Sequence, residues 1–219
     1  MPSPELVKRQ IESLTGDLIE AGLSSRQNFP IRRNHSGGKI EITTDKYQDM
    51  SIILKDIAYS DLYKELVTND VYNIIMIDGA IIQLQYLYKD SVLVKHRLAF
   101  LPSPNLDEFQ NNAEIYDTDE LYADVISRSI YPAPIRFDFD RAAGVDKIHP
   151  MSHLTIGQYT NCRIPVASPL SPFLFIQFIL RSFYNTGFRK CESQIKGFSQ
   201  RFQPTITKNE VAMMHVGVP

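Results

Sequence analysis

Between residues 135 and 163 the chain concentrates side chains suited to phosphate chemistry. Ile135, Phe137 and Phe139 alternate with Arg136, Asp138 and Asp140. On an extended strand this period of two sends the three polar groups to one face and the three apolar groups to the other. A short loop later come His149, Ser152 and His153, and Arg163 follows Cys162. Strands joined by a short connection pair in antiparallel fashion, so these groups are predicted to converge. Arginine offers a planar fork to phosphate oxygens, histidine moves protons near neutral pH, and a carboxylate orients either one. The candidate catalytic residues are therefore His149, His153, Arg136 and Asp138, with Arg163, Asp140 and Ser152 as substrate contacts. The plainer alternative is a polar strand face held by salt bridges, which serves only the fold.

The segments Arg136-Phe137-Asp138-Phe139-Asp140, His149-Pro150-Met151-Ser152-His153-Leu154-Thr155-Ile156-Gly157, Cys162-Arg163-Ile164-Pro165 and Pro172 to Tyr184 resemble the bacterial DUF2290 family, a domain of unknown function. The likeness runs over essentially the whole chain and is densest from residue 134 to residue 184. It implies a bacterial cytoplasmic protein in genomic settings of defence against phage or mobile elements, and it transfers no activity. An R-x-D strand followed by a paired-histidine strand and a late helix is also similar to TumE-like toxins, which act on RNA. That likeness would set His149 and His153 on the histidine strand and Arg136 and Asp138 on the strand before it.

Metal chemistry has a geometric obstacle at this level. Four residues of extended chain separate His149 from His153, which at about 3.3 Å per residue is roughly 13 Å. One ion cannot bridge that distance unless Pro150 bends the chain. No metal and no cofactor are expected. Cys162 has an arginine beside it that would favour its thiolate, but a packed cysteine is the commoner case. His96 falls on the apolar side of its strand and is predicted to be a core or interface histidine, and His215 to belong to a fraying or partner-packed tail. No Gly-rich phosphate loop is present, so nucleotide hydrolysis is not expected.

The elements that must position the site follow from pattern. Ser3 and Pro4 open an amphipathic helix with Leu6, Ile11, Leu14, Leu18 and Ile19 as its stripe, and Gly22 stops it. Ser24 to Gly38 reads as a solvated polar loop. Asp49 to Leu66 reads as helix with a break near Tyr59, where Ser60 or Asp61 would cap the second piece. Tyr72–Ile77, Ala80–Tyr88 and Ser91–Leu101 form a meander turned by Asp78-Gly79 and Lys89-Asp90. Val92, Val94, His96, Leu98 and Phe100 are predicted to share one face. Asp107 to Asp124 is an acidic loop and short helix, Ala142 to Val145 a turn, and His149 to Ile156 a strand. Ser171-Pro172 opens the core helix, which runs to about Tyr184 with Gly187 beyond it. The predicted fold is one α+β domain, an antiparallel sheet of about five strands packed against helices.

Composition narrows the function classes further. The 219 residues carry a net charge of −2 and are of ordinary hydrophobicity, as for a soluble globular chain. The longest apolar run, Phe173 to Leu180, is far short of the roughly 20 residues of a membrane span. The start lacks the basic and apolar regions of a signal peptide, and two cysteines suggest a reducing, cytoplasmic setting. Residues 1–127 carry −8 and residues 128–219 carry +6. This asymmetry points either to a polyanion-facing surface or to two halves that attract each other inside one fold. Two functions fit: a metal-independent ribonuclease effector of a defence or toxin–antitoxin-type system, or a non-catalytic subunit docking a larger nuclease, ATPase or reverse transcriptase. Binding a nucleotide or RNA end without cleavage is a third. Expected partners are a protein from the same operon, RNA or single-stranded DNA, or a second copy of the chain, and no membrane.

Overall fold

The computed structural model describes residues 1–46, 57–104, 133–159 and 161–219. The expected acidic segment Asp107–Asp124 and the first part of the Asp49–Leu66 helix lie outside these residues.

The chain begins with helix α1 (Pro4–Glu20), where the Ser3 hydroxyl accepts the Leu6 N–H at 3.2 Å. Its buried stripe is Val7, Ile11, Leu14 and Leu18, with Leu6 half-buried and Ile19 exposed. Gly22 at φ +67° ends it as expected. The predicted polar loop Ser24–Gly38 is instead two strands, β1 (Ser24–Gln27) and β2 (Ile31–His35), with Gly37 and Gly38 at φ +70° turning β2 into β3 (Lys39–Thr43). Helix α2 (Tyr59–Thr68) has Ala58 at its N-cap, so neither Ser60 nor Asp61 caps it.

The meander is present as β4 (Ile74–Met76), β5 (Ile81–Lys89) and β6 (Val92–Leu101). Asp90 and Ser91, both with positive φ, make the tight turn between β5 and β6. Leu87 pairs with Lys95 but Tyr88 pairs with Leu93, so Val94 is an extra residue on β6. That bulge reverses the facing of the strand's start. Leu93 goes to the core and Val92 is 40% exposed, against the expected run from Val92 through Phe100. Beyond it His96, Leu98 and Phe100 point inward as expected.

Strand β7 (Ile135–Asp140) pairs with β6, and β8 (Ser152–Ile156) pairs with β7 and with the two-residue strand β9 (Ile164–Pro165). All these pairings are antiparallel. The order β1-β4-β5-β6-β7-β8-β9, with β2 and β3 attached beside β5, makes nine described strands, more than the five expected, in an α+β architecture.

Helices α3 (Pro172–Phe183) and α4 (Asn185–Cys191) follow, then the short α5 (Lys208–Val211). The Ser171 hydroxyl caps α3 at the predicted place, and Gly187 lies beyond the end of α3 as expected, inside α4. Stripes from α1 and α3 bury one sheet face with Tyr86, Leu98, Phe137 and Phe139. On the other face, Leu62 and Leu66 of α2 pack with Ile75, Ile81, Ala99 and Leu101.

The β4–β5 turn is clamped from both layers. Tyr63 of α2 donates to the Gly79 carbonyl at 2.6 Å, and Tyr184, just past α3, donates to Asp78 Oδ1 at 2.7 Å. Tyr184 is 2% exposed, so losing its hydroxyl strands part of a carboxylate. Tyr184→Phe is expected to destabilise the fold by about 1–3 kcal/mol, read as a lower urea midpoint at unchanged slope.

Candidate functional site

The sheet face away from α1 and α3 carries a polar row. Register sets Gln85 of β5 opposite Arg97 of β6, Arg97 opposite Asp138 of β7, and Asp138 opposite His153 of β8. Arg97 Nε lies 3.1 Å from Asp138 Oδ1, and Arg136 Nε lies 2.6 Å from Asp138 Oδ2. The row extends past β5, where Gln85 donates to Glu41 Oε1 at 2.6 Å and the other Glu41 oxygen meets His35 Nε2 at 2.8 Å.

Asp138, Arg97 and Arg136 have side chains only 12–14% exposed. Burial alone would raise the Asp138 pKa, but Arg136 and Arg97 outweigh it and hold the carboxyl below its ordinary value. Arg97 was not among the residues expected from sequence. Its signal was there, because it sits on the polar side of a strand that a long connection returns to as a neighbour of β7.

The two histidines are much closer than an extended chain allows. Their ring centroids are 4.9 Å apart, with ring planes at 49°. Strand β8 begins only at Ser152, and His149 sits in the preceding loop, bridged to Val145. The chain bends at Met151, directly after Pro150, so the spacing argument against a shared ion does not hold. Asp138 is nevertheless committed to two arginines. Among the described residues no group of three His, Cys, Asp or Glu side chains is placed to hold a metal.

Each histidine is tethered by one ring nitrogen. His149 Nδ1 lies 2.7 Å from the Ala143 carbonyl and His153 Nδ1 lies 2.9 Å from the Pro150 carbonyl. A carbonyl only accepts, so these bonds assign the proton to Nδ1 and leave the lone pair of each neutral ring on Nε2. His153 Nε2 lies 3.8 Å from Asp138 Oδ2, too long for a hydrogen bond. Burial, with lesser repulsion from His149 and Arg136, lowers the His153 pKa despite the opposing pull of the Pro150 carbonyl and Asp138.

The other expected residues are dispersed. Asp140 shares the face, but it holds Lys95 at 3.2 Å and accepts the Ala142 and Ala143 N–H groups, which fixes the turn after β7. Ser152 pairs opposite Phe139 and therefore points to the core side; its hydroxyl accepts from Thr205 at 3.3 Å. Arg163 makes no hydrogen bond or ion pair among the described residues. The β8–β9 register continued by one step sets it beside Thr155, the partner of Arg136. Cys162 Sγ accepts the Ile156 N–H, and its carbonyl accepts the Thr155 hydroxyl.

His96 is a core histidine as expected, 2% exposed, with Nε2 accepting the Leu170 N–H at 3.2 Å. Burial pushes its pKa down to about 3. The unfolded chain binds this proton from about pH 6.5 downward while the folded chain does not. The contribution of His96 is thus present above pH 6.5 and lost as pH falls towards 3. Urea melts of wild type and His96→Gln across that range are expected to converge as the pH drops.

A family model described as an uncharacterized conserved protein (DUF2290) matches residues 23–218. No curated protein and no solved structure matches the chain.

Proposed function

Since the chain belongs to the DUF2290 family, whose description states no activity, we propose from its own geometry that it is a metal-independent ribonuclease, acting as the effector of a bacterial antiphage or toxin–antitoxin-type system. The observation that carries this reading is the histidine pair, two adjacent rings each held by Nδ1 with Nε2 left for proton transfer. The defence setting comes from the family resemblance.

In this reading His153, whose lowered pKa favours the neutral ring, takes the proton of a ribose 2′-hydroxyl at Nε2. The 2′-oxygen attacks the adjacent phosphorus, and the 5′-oxygen leaves with a proton from Nε2 of a protonated His149. The products are a 2′,3′-cyclic phosphate and a free 5′-hydroxyl. Arg136 answers the charge that builds on the phosphorane, and Asp138 holds Arg136 in place. The test uses the purified chain with single-stranded RNA in the presence of EDTA. Cleavage leaving 2′,3′-cyclic ends is expected, together with inertness of 2′-O-methyl RNA; uncut RNA removes the reading.

One observation favours a second reading. Arg97, Asp138 and Arg136 satisfy one another at low exposure, as in a buried network that specifies a fold. The chain would then be a non-catalytic subunit docked on a larger enzyme. Purified protein without nuclease activity that becomes soluble only with a co-expressed neighbour supports that alternative.

A further inference from the structure

The polar sheet face has a second, more exposed region beside the histidine row. Register places His35 opposite Lys39 and Lys39 opposite Lys89, a row of three basic residues across β2, β3 and β5. The next row inward is Arg33, Glu41, Leu87, Lys95 and Asp140. All three residues of the outer row are exposed.

Most basic side chains here already have an acid. His35 meets Glu41 at 2.8 Å, Lys95 meets Asp140 at 3.2 Å, and Arg33 lies 3.9 Å from Asp45. Lys39 and Lys89 do not: neither makes an ion pair among the described residues. Two acids lie near them, and neither forms an ion pair with a lysine of this row among the described residues. Glu41 is turned to His35 and Gln85. The carboxylate of Asp90 packs against Gly38, so closely that a Cβ there would stand 2.6 Å from Oδ1.

Like charges directly opposite on neighbouring strands destabilise a sheet, and with strands about 4.8 Å apart the two ammonium groups can reach one anion. The geometry points to Lys39 and Lys89 as a binding site for the phosphodiester backbone of single-stranded RNA, which supplies a partner for two lysines that form no ion pair among the described residues. The inference rests on the ribonuclease reading and adds to it the path of the substrate. From Lys89 on β5 to His153 on β8 is three strand spacings across and four residues along. Together these come to on the order of 20 Å, a few nucleotides, with Lys95 lying between. Sequence had placed the basic excess after residue 127, whereas these lysines belong to the acidic half.

The test separates binding from cleavage. A fluorescently labelled 2′-O-methyl RNA oligonucleotide, which has no free 2′-hydroxyl to attack phosphorus, is titrated with the full chain at several salt concentrations. For single strands the logarithmic slope changes by about 0.7 per phosphate contact. With one phosphate shared by the two lysines, Lys39→Ala/Lys89→Ala is therefore expected to flatten the slope by about 0.7 and to weaken binding at ~50 mM salt by roughly tenfold. Its melting temperature should equal or exceed that of wild type, because the repulsion is gone; if it melts early, Lys39→Gln/Lys89→Gln replaces it.

Unchanged slope and affinity in the folded double variant overturn the site. So does wild type that binds no RNA, or an acidic peptide that displaces RNA more readily than unlabelled RNA does. Binding with the expected slope change but no cutting of ordinary RNA leaves this site standing and removes only the ribonuclease reading.

Discussion

Replacing His153 by alanine is expected to abolish RNA cleavage while the protein still folds. General acid–base catalysis is worth roughly 10²- to 10⁴-fold, and a ring supplying the base accounts for the whole of one such contribution. The substitution removes one hydrogen bond, from Nδ1 to the Pro150 carbonyl, and leaves the Arg97–Asp138–Arg136 bridges in place. The circular-dichroism spectrum should match wild type, and binding of 2′-O-methyl RNA should persist. His149→Ala is expected to be as inactive towards RNA with an ordinary leaving group. It should recover in part when the leaving 5′-oxygen belongs to a good leaving group such as a nitrophenol, because an acid is then less needed. Full activity in folded His153→Ala would transfer the row entirely to the structural role.

Asp138→Asn is expected to be the most destabilising single change on this face. The asparagine has nearly the same shape but removes the carboxylate charge that Arg97 and Arg136, 12% and 14% exposed, both meet. Breaking a buried ion pair by removing one partner costs about 3–5 kcal/mol. The pH signature follows from the depressed pKa of Asp138. Because the folded value lies below the unfolded one of about 3.9, its contribution is present above that pH. It is lost as pH falls through the folded value. Denaturant melts below about pH 4 should show wild type approaching Asp138→Asn, a window lower than the one in which His96 acts. A variant as stable as wild type at pH 7 would mean that the two arginines find their balance elsewhere.

Much of the frame was legible from local rules. The Ser-Pro starts of α1 and α3, the Asp78-Gly79 turn and the strict alternation of Ile135–Phe139 each involve residues a few positions apart, so their physics is contained in the sequence itself. The strands β1 to β3 were not legible. They are short, and β1 and β2 are polar and largely exposed; β1 and β3 become strands by pairing with β4 and β5, some 50 residues away, and β2 by its hairpin with β3. The facing of Val92 was missed for a related reason, since a bulge is a property of two strands in register and not of one.

The candidate site divides along the same line. Sequence by itself determined that Arg136, Asp138 and Asp140 share a strand face, because a period of two admits no other arrangement. It also determined that His149 and His153 follow closely and that the core helix begins at Ser171. Tertiary structure alone decided that Arg97 joins Asp138, because the long connection between β6 and β7 hides their adjacency. It decided as well that a bend at Met151 brings His149 back onto His153, turning an expected separation of about 13 Å into a ring contact of 4.9 Å. Pairing also turned Ser152 to the core side, since the residue before an outward His153 on a strand must point inward.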